Sequence, residues 1–111
     1  MSIMNAECVV IIPHYNDIAR LRRCLAALAV QGRAGVEILV VDNGSTESLE
    51  PVKAENPAVR FVTEPAKGAA LARNRGVMES RAATLVFLDS DCIPGPGWLT
   101  DPKLALLSVA F

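Results

Sequence analysis

Residues 84–92, TLVFLDSDC, carry an apolar run that stops on two carboxylates one residue apart. In extended chain, side chains two apart point the same way, so Asp89 and Asp91 can face one site while Ser90 faces away. Carboxylates held that close repel each other, and a divalent cation relieves the repulsion. Mg²⁺ in particular takes one or two carboxylates and completes its shell with water and substrate phosphate oxygens. Asp89-Ser90-Asp91 therefore reads as a seat for a metal and a diphosphate. The plainer alternative is an acidic loop entry ahead of the Pro/Gly turn at 93–97, and a D-x-D alone does not decide between them.

Strands and helices must carry these residues to one place. The run Cys8-Val9-Val10-Ile11-Ile12, closed by Pro13, has the length and type of a strand covered on both faces. Residues 36–41, VEILVV, repeat the pattern and again stop at an acid, Asp42. A weaker strand at 59–63 is interrupted by Arg60, as at a sheet edge, and 84–88 is the fourth. Between them, Asn16 or Asp17 can cap a helix with Ile18, Leu21, Leu25 and Leu28 at helical spacing to about Gln31, where Gly32 ends it. Ser48 can cap a short helix that tolerates Pro51 and favours Glu50 in its first turn. The Ala-rich stretch 69–81 reads as a third helix, with Leu71, Ala72 and Val77 facing inward and Gly76 tolerated. Trp98, Leu99 and residues 104–111 suggest a further packed element.

Alternating strands and helices with short loops give a doubly wound α/β sheet, mostly parallel, of about four strands with helices on both faces. Ligands of such sheets sit beyond the carboxyl ends of the strands. The polar stretches 13–16, 42–45 and 89–91 all fall at those ends, and that coincidence points to a site more strongly than any one motif.

Composition narrows the field. A chain of 111 residues is one domain at most, and it is large enough to bury a core. No apolar run approaches the roughly 18 residues of a membrane span, and the first residues lack the basic and apolar regions of a secretory signal. The expected compartment is the cytoplasm, at most peripheral to the inner face of the membrane. Cys8, Cys24 and Cys92 are odd in number and lack C-x-x-C spacing, so reduced, mostly buried thiols are expected in place of a zinc site or a disulfide framework. A net charge of −1 gives no electrostatic reason to expect nucleic acid as a partner.

The blocks VVIIPHYND, EILVVDNGSTE, KGAALARNRGV and LVFLDSDCIPGPGWL, in this order, resemble the N-terminal, nucleotide-sugar-binding half of family 2 glycosyltransferases of the GT-A fold. The resemblance covers nearly the whole chain. It implies transfer of a sugar from a nucleoside-diphosphate sugar, usually a UDP- or dTDP-sugar, to a hydroxyl of a glycan, lipid or other acceptor. It also implies Mg²⁺ or Mn²⁺ and inversion at the anomeric carbon. Carried over by position, Pro13 and Tyr15 line the base pocket, with Tyr15 as a flat face for a pyrimidine. His14 between them is expected to be a solvent-facing loop residue.

Asp42 and Asn43 match a pair of acids, one of which accepts the uracil N3–H. With Asn in the second place the side chain can accept one hydrogen bond and donate another. Lys67, before a helix N-terminus, and Arg73 are candidates for the diphosphate; Arg75 and Arg81 are expected to be solvated surface. The resemblance also implies that Asp91 is the firmer direct metal ligand, while Asp89 is expected to touch the ribose or reach the metal through water.

The resemblance implies that the acceptor site and the catalytic base lie in a second half beyond residue 111, so the chain reads as a truncated part of a domain. A sheet cut after its fourth strand would leave an apolar edge open to self-association. Two other classes stay open: a non-catalytic nucleotide-sugar-binding module or inactive product, and a receiver-like domain whose acids converge on one metal.

Overall fold

The computed structural model describes residues 7–31 and 35–98. Its elements alternate as expected: β1 (Cys8–His14), α1 (Ile18–Ala29), β2 (Val36–Asp42), α2 (Glu50–Glu55), β3 (Arg60–Thr63), α3 (Ala69–Met78) and β4 (Thr84–Phe87). All pairings are parallel and the strand order is β3-β2-β1-β4. The chain therefore lays β2 and β3 to one side of β1 and then returns to place β4 on the other. That reversal makes the carboxyl ends of β1 and β4 the switch point of the sheet, where α/β proteins open a crevice.

Both faces of the sheet are covered. Val10 and Ile12 of β1, Val40 of β2 and Val86 of β4 pack with Leu21, Cys24, Leu25 and Leu28 of α1 and Val52 of α2. On the other face, Val9, Ile11, Leu39 and Val41 pack with Ala72 of α3. Val9 to Ile12 are all 0% exposed, and each such side chain is worth about 1.5–3 kcal/mol against its exposed state. β3 and β4 are the outer strands among the described residues, which places Arg60 on an edge as its sequence position suggested. No disulfide joins the cysteines; Cys8 and Cys24 are buried and Cys92 is exposed.

The helix ends show where local rules yielded to packing. Asp17, not Asn16, caps α1 and accepts from the Arg20 N–H. α2 starts from Leu49; Ser48 Oγ accepts from the Glu50 N–H at 3.3 Å without being the cap residue. In α3, Leu71 and Val77 are exposed, contrary to the inward placement expected, and the buried positions are Ala72 and Gly76. The cause is the closeness of α3 to β1. A Cβ on Gly76 would stand 2.4 Å from Ile11 Cγ2, so only small residues one turn apart can face the sheet. Arg75 also departs from the solvated role expected of it: it pairs with Glu64 at 3.6 Å and Glu79 at 3.1 Å, while Glu79 also holds Arg60 of β3. Arg81 is exposed. Expectations placed on Gly32, Leu99 and residues 104–111 fall outside the described residues.

One polar tie joins the loops after β1 and β2, and it corrects the reading of His14. The strand continues through His14, which therefore shares the inward face of Val10 and Ile12 and is 2% exposed. Its Nε2 accepts from the Asp17 N–H at 2.9 Å, so the ring proton sits on Nδ1 and is donated to Asp42 Oδ1 at 2.9 Å. Asp42 accepts further bonds from Ser45, through Oγ–H at 2.7 Å and N–H at 2.9 Å. Ser45 Oγ in turn accepts from the Asn16 N–H at 2.8 Å. Asn16, at a φ of +45° that Asn tolerates, caps the N–H of Thr46 with its Oδ1 at 2.8 Å.

Burial alone would raise the pKa of Asp42, but the hydrogen bonds from Ser45 and His14 outweigh it and leave it below 3.8. A carboxyl depressed in the folded state adds stability that is whole above its unfolded pKa and is lost as pH falls through the folded one.

Two outcomes follow from this packing. Gly76→Ala is expected to lower the thermal midpoint, because overpacking of about 1–3 kcal/mol exceeds a helix-propensity gain of up to about 1 kcal/mol; a raised midpoint would contradict the close approach. Ser45→Ala is expected to cost about 1–3 kcal/mol at neutral pH in a denaturant titration. That difference should shrink as the pH is taken below 3.8, the ordinary value for Asp42, and a pH-independent difference would show that Ser45 does not act through the carboxylate.

Candidate functional site

A cleft of about 490 Å³ opens at the switch point, within the range of ligand pockets generally. Its lining gathers Pro13 and Tyr15 from the end of β1, Asn43 from the end of β2, Lys67 and Arg73 from the start of α3, and Asp89 and Asp91 from the end of β4. Seven of the eight residues singled out in the sequence thus share one cavity. Asp42 does not line it, because its carboxylate is turned onto His14 and Ser45 behind the wall.

Residues missed in the sequence also contribute to the wall, among them His14, Asp17 and Gly68. The signal for His14 was available: residues two apart along β1 are buried, and His14 continues their series. Gly68 carries a φ of +132° and opens α3 without a side-chain cap.

Asn43 is 8% exposed and its amide is heavily used. Nδ2–H₂ donates to the carbonyls of Glu64 at 2.8 Å and Ala66 at 2.7 Å, and Oδ1 accepts from the Gly68 N–H at 2.9 Å. Both donors are thereby committed, which corrects the expectation that Asn43 could also donate to a bound base. What remains is a lone pair on Oδ1, an acceptor for a ring N–H. The same bonds fix the loop between β3 and α3 on either side of Lys67. Gly44 makes the adjoining turn at a φ of +82°, as its place in DNGS suggested.

The cationic and acidic walls differ in how they are partnered. Tyr15 is 51% exposed, and Lys67 Nζ lies 4.2 Å from its ring centroid. Arg73 makes no ion pair among the described residues. Asp89 and Asp91 likewise have no basic partner among the described residues, and their carboxylate oxygens lie within 4.8 Å of each other and of Cys92 Sγ. Burial, and then the carboxylates of Asp91 and Asp89, push the Cys92 thiol up. The two carboxylates supply oxygen donors of the kind that suits Mg²⁺ or Mn²⁺. Asp42 stands outside this cluster among the described residues, so the acids do not converge on one cation as a receiver-like domain would require.

The arrangement has close relatives. Glycosyltransferase AglE of Haloferax volcanii is 35% identical over 97 residues, covering 81% of this chain and 32% of its own. Among solved structures, TarS of S. aureus superposes with a TM-score of 0.77 at 25% identity, over 86% of this chain and 30% of that one. The mannosyltransferase PcManGT of Pyrobaculum calidifontis, in complex with GDP-Man and Mn²⁺, superposes with a TM-score of 0.71 at 27% identity, over 87% of this chain and 33% of that one. The chain thus spans about a third of the length of each of these proteins. No helix among the described residues is long and apolar enough to cross a membrane. With a parallel sheet and switch-point cleft of the GT-A kind, and with residues 9–101 matching the family described as Glycosyl transferase family 2, the chain belongs to that family.

Proposed function

We propose that the protein transfers a sugar from a nucleoside-diphosphate sugar to an acceptor hydroxyl, with a divalent cation and with inversion at the anomeric carbon. The observation that carries this reading is the single cleft in which a flat ring, a carbonyl acceptor, two basic side chains and two carboxylates without basic partners meet. The structure solved with GDP-Man and Mn²⁺, at 27% identity, supports it from outside the chain.

In this reading Tyr15 stacks the base and Asn43 Oδ1 accepts its ring N–H. An acceptor without a free donor suits uracil or thymine, whose N3 carries hydrogen, and disfavours cytosine, whose N3 does not. Guanine N1 also carries hydrogen, so this acceptor sets cytosine apart, and it is the family resemblance that makes UDP- or dTDP-sugars the proposed donors. Lys67 and Arg73 hold the diphosphate, with the start of α3 adding its partial positive charge. Asp91, with Asp89, holds Mg²⁺ or Mn²⁺. The cation's chemistry there is to neutralise charge building on the departing diphosphate. Asp42, tied to His14 and Ser45, keeps the turn that presents Asn43 in place.

Inversion also needs a base for the acceptor hydroxyl. The carboxylates on the cleft are Asp17, Asp89 and Asp91; Asp17 caps α1 and pairs with Arg20, so the proposed base lies outside the described residues. The chain's free Cys24 and Cys92 fit a reducing, cytoplasmic setting.

Calorimetry of the full protein with UDP, dTDP, GDP and CDP in Mn²⁺ tests the reading. UDP or dTDP should bind best, CDP worst, and EDTA should weaken all of them. Asp91→Asn should lower metal-dependent sugar transfer by about 10²-fold or more while leaving the thermal midpoint nearly unchanged, since the carboxylate is exposed. Binding of no nucleoside diphosphate, or full activity in Asp91→Asn with EDTA present, would overturn the assignment.

A further inference from the structure

We propose that Lys67 makes the cleft select nucleotides over nucleosides, because it occupies the ring face a base needs and gives it up only to a phosphate. The inference rests on the nucleotide-sugar reading above. Lys67 Nζ sits 4.2 Å from the Tyr15 ring centroid and donates to the carbonyl oxygens of Asn43 at 3.2 Å and Gly44 at 3.4 Å. Tyr15, Asn43 and Lys67 all line the same cleft, so the lysine that covers the ring is itself part of the cavity wall. Stacked carbons need contacts of about 3.5–4 Å, and an ammonium at that height fills the space.

The contacts also show how the lysine could leave. No carboxylate pairs with Lys67 among the described residues; its partners are a ring and two neutral carbonyls. A diphosphate would be its first ionic partner, and a charge-assisted bond is roughly twice as strong as a neutral one. The backbone need not follow. Asn43 grips the Ala66 carbonyl on one side of Lys67 and the Gly68 N–H on the other, so the four-carbon stem alone can carry the charge from the ring toward the phosphates. A nucleoside must displace the cation and offers it nothing in return. A nucleoside diphosphate displaces it and receives it.

The test compares uridine and UDP on the full chain in Mn²⁺, by calorimetry and by competition. In Lys67→Met and Lys67→Ala, uridine should bind about threefold to tenfold more tightly than to the unaltered protein, the size of an exposed cation–π contact. UDP should bind about tenfold or more weakly, so the preference for UDP over uridine collapses from both sides. Adding Tyr15→Leu should abolish the uridine gain. A uridine affinity unchanged or weakened in both Lys67 variants, with UDP still weakened, would overturn the inference and leave Lys67 as a phosphate contact only. Failure of the unaltered protein to bind UDP, dTDP or GDP is a different result, and it would sink the functional reading itself.

Discussion

The constraint on which the structure depends is the confinement of β1. It pairs in parallel with β2 along its whole length and with β4 along its first half, and both of its faces are buried. A strand held on four sides has no room for polar chemistry along its length, because an unpaired polar group there would carry the full cost of desolvation. Chemistry can begin only where the pairing with β4 runs out, after Ile11 and Leu88, and there the chain delivers Pro13, His14 and Tyr15 on one side and Asp89 and Asp91 on the other. The cleft is the gap left by that divergence.

Within the cleft, residues of one type are set apart by their partners. Asp42 is buried and receives hydrogen bonds from His14 and Ser45, so it stays ionised and serves the wall. Asp89 and Asp91 are exposed, close together and without basic partners among the described residues, so their mutual repulsion is left for a ligand to relieve. Arg75 and Arg73 divide in the same way. Arg75, between Glu64 and Glu79, fixes α3 against β3; Arg73 lines the cavity and makes no ion pair among the described residues. The acids and bases that are already satisfied hold still those that are not.

Much of this was legible in the sequence, for a physical reason. Buried strands are rich in apolar residues, so 8–12, 36–41 and 84–88 stood out, and each was followed by polar residues at its carboxyl end. What was not legible depended on close approaches that no local pattern encodes. Leu71 and Val77 look like the inward face of α3 until the contact of Gly76 with Ile11 shows that only small residues fit there. His14 looked like loop because Pro13 suggests a strand end, yet β1 remains paired one residue further, His14 against Asp42. The amide of Asn43 could be read as a donor to a ligand only while its bonds to Glu64 and Ala66 were unknown.

The central claim is that the divergence of β1 and β4 seats a nucleoside diphosphate and its cation. A crystal structure of the full protein with UDP and Mn²⁺ tests it most directly. It should show the cation on Asp91, the uracil against Tyr15 with its N3–H toward Asn43 Oδ1, and the phosphates at Lys67 and Arg73. A nucleotide seated elsewhere on the protein, with Asp89 and Asp91 left in solvent, would contradict it.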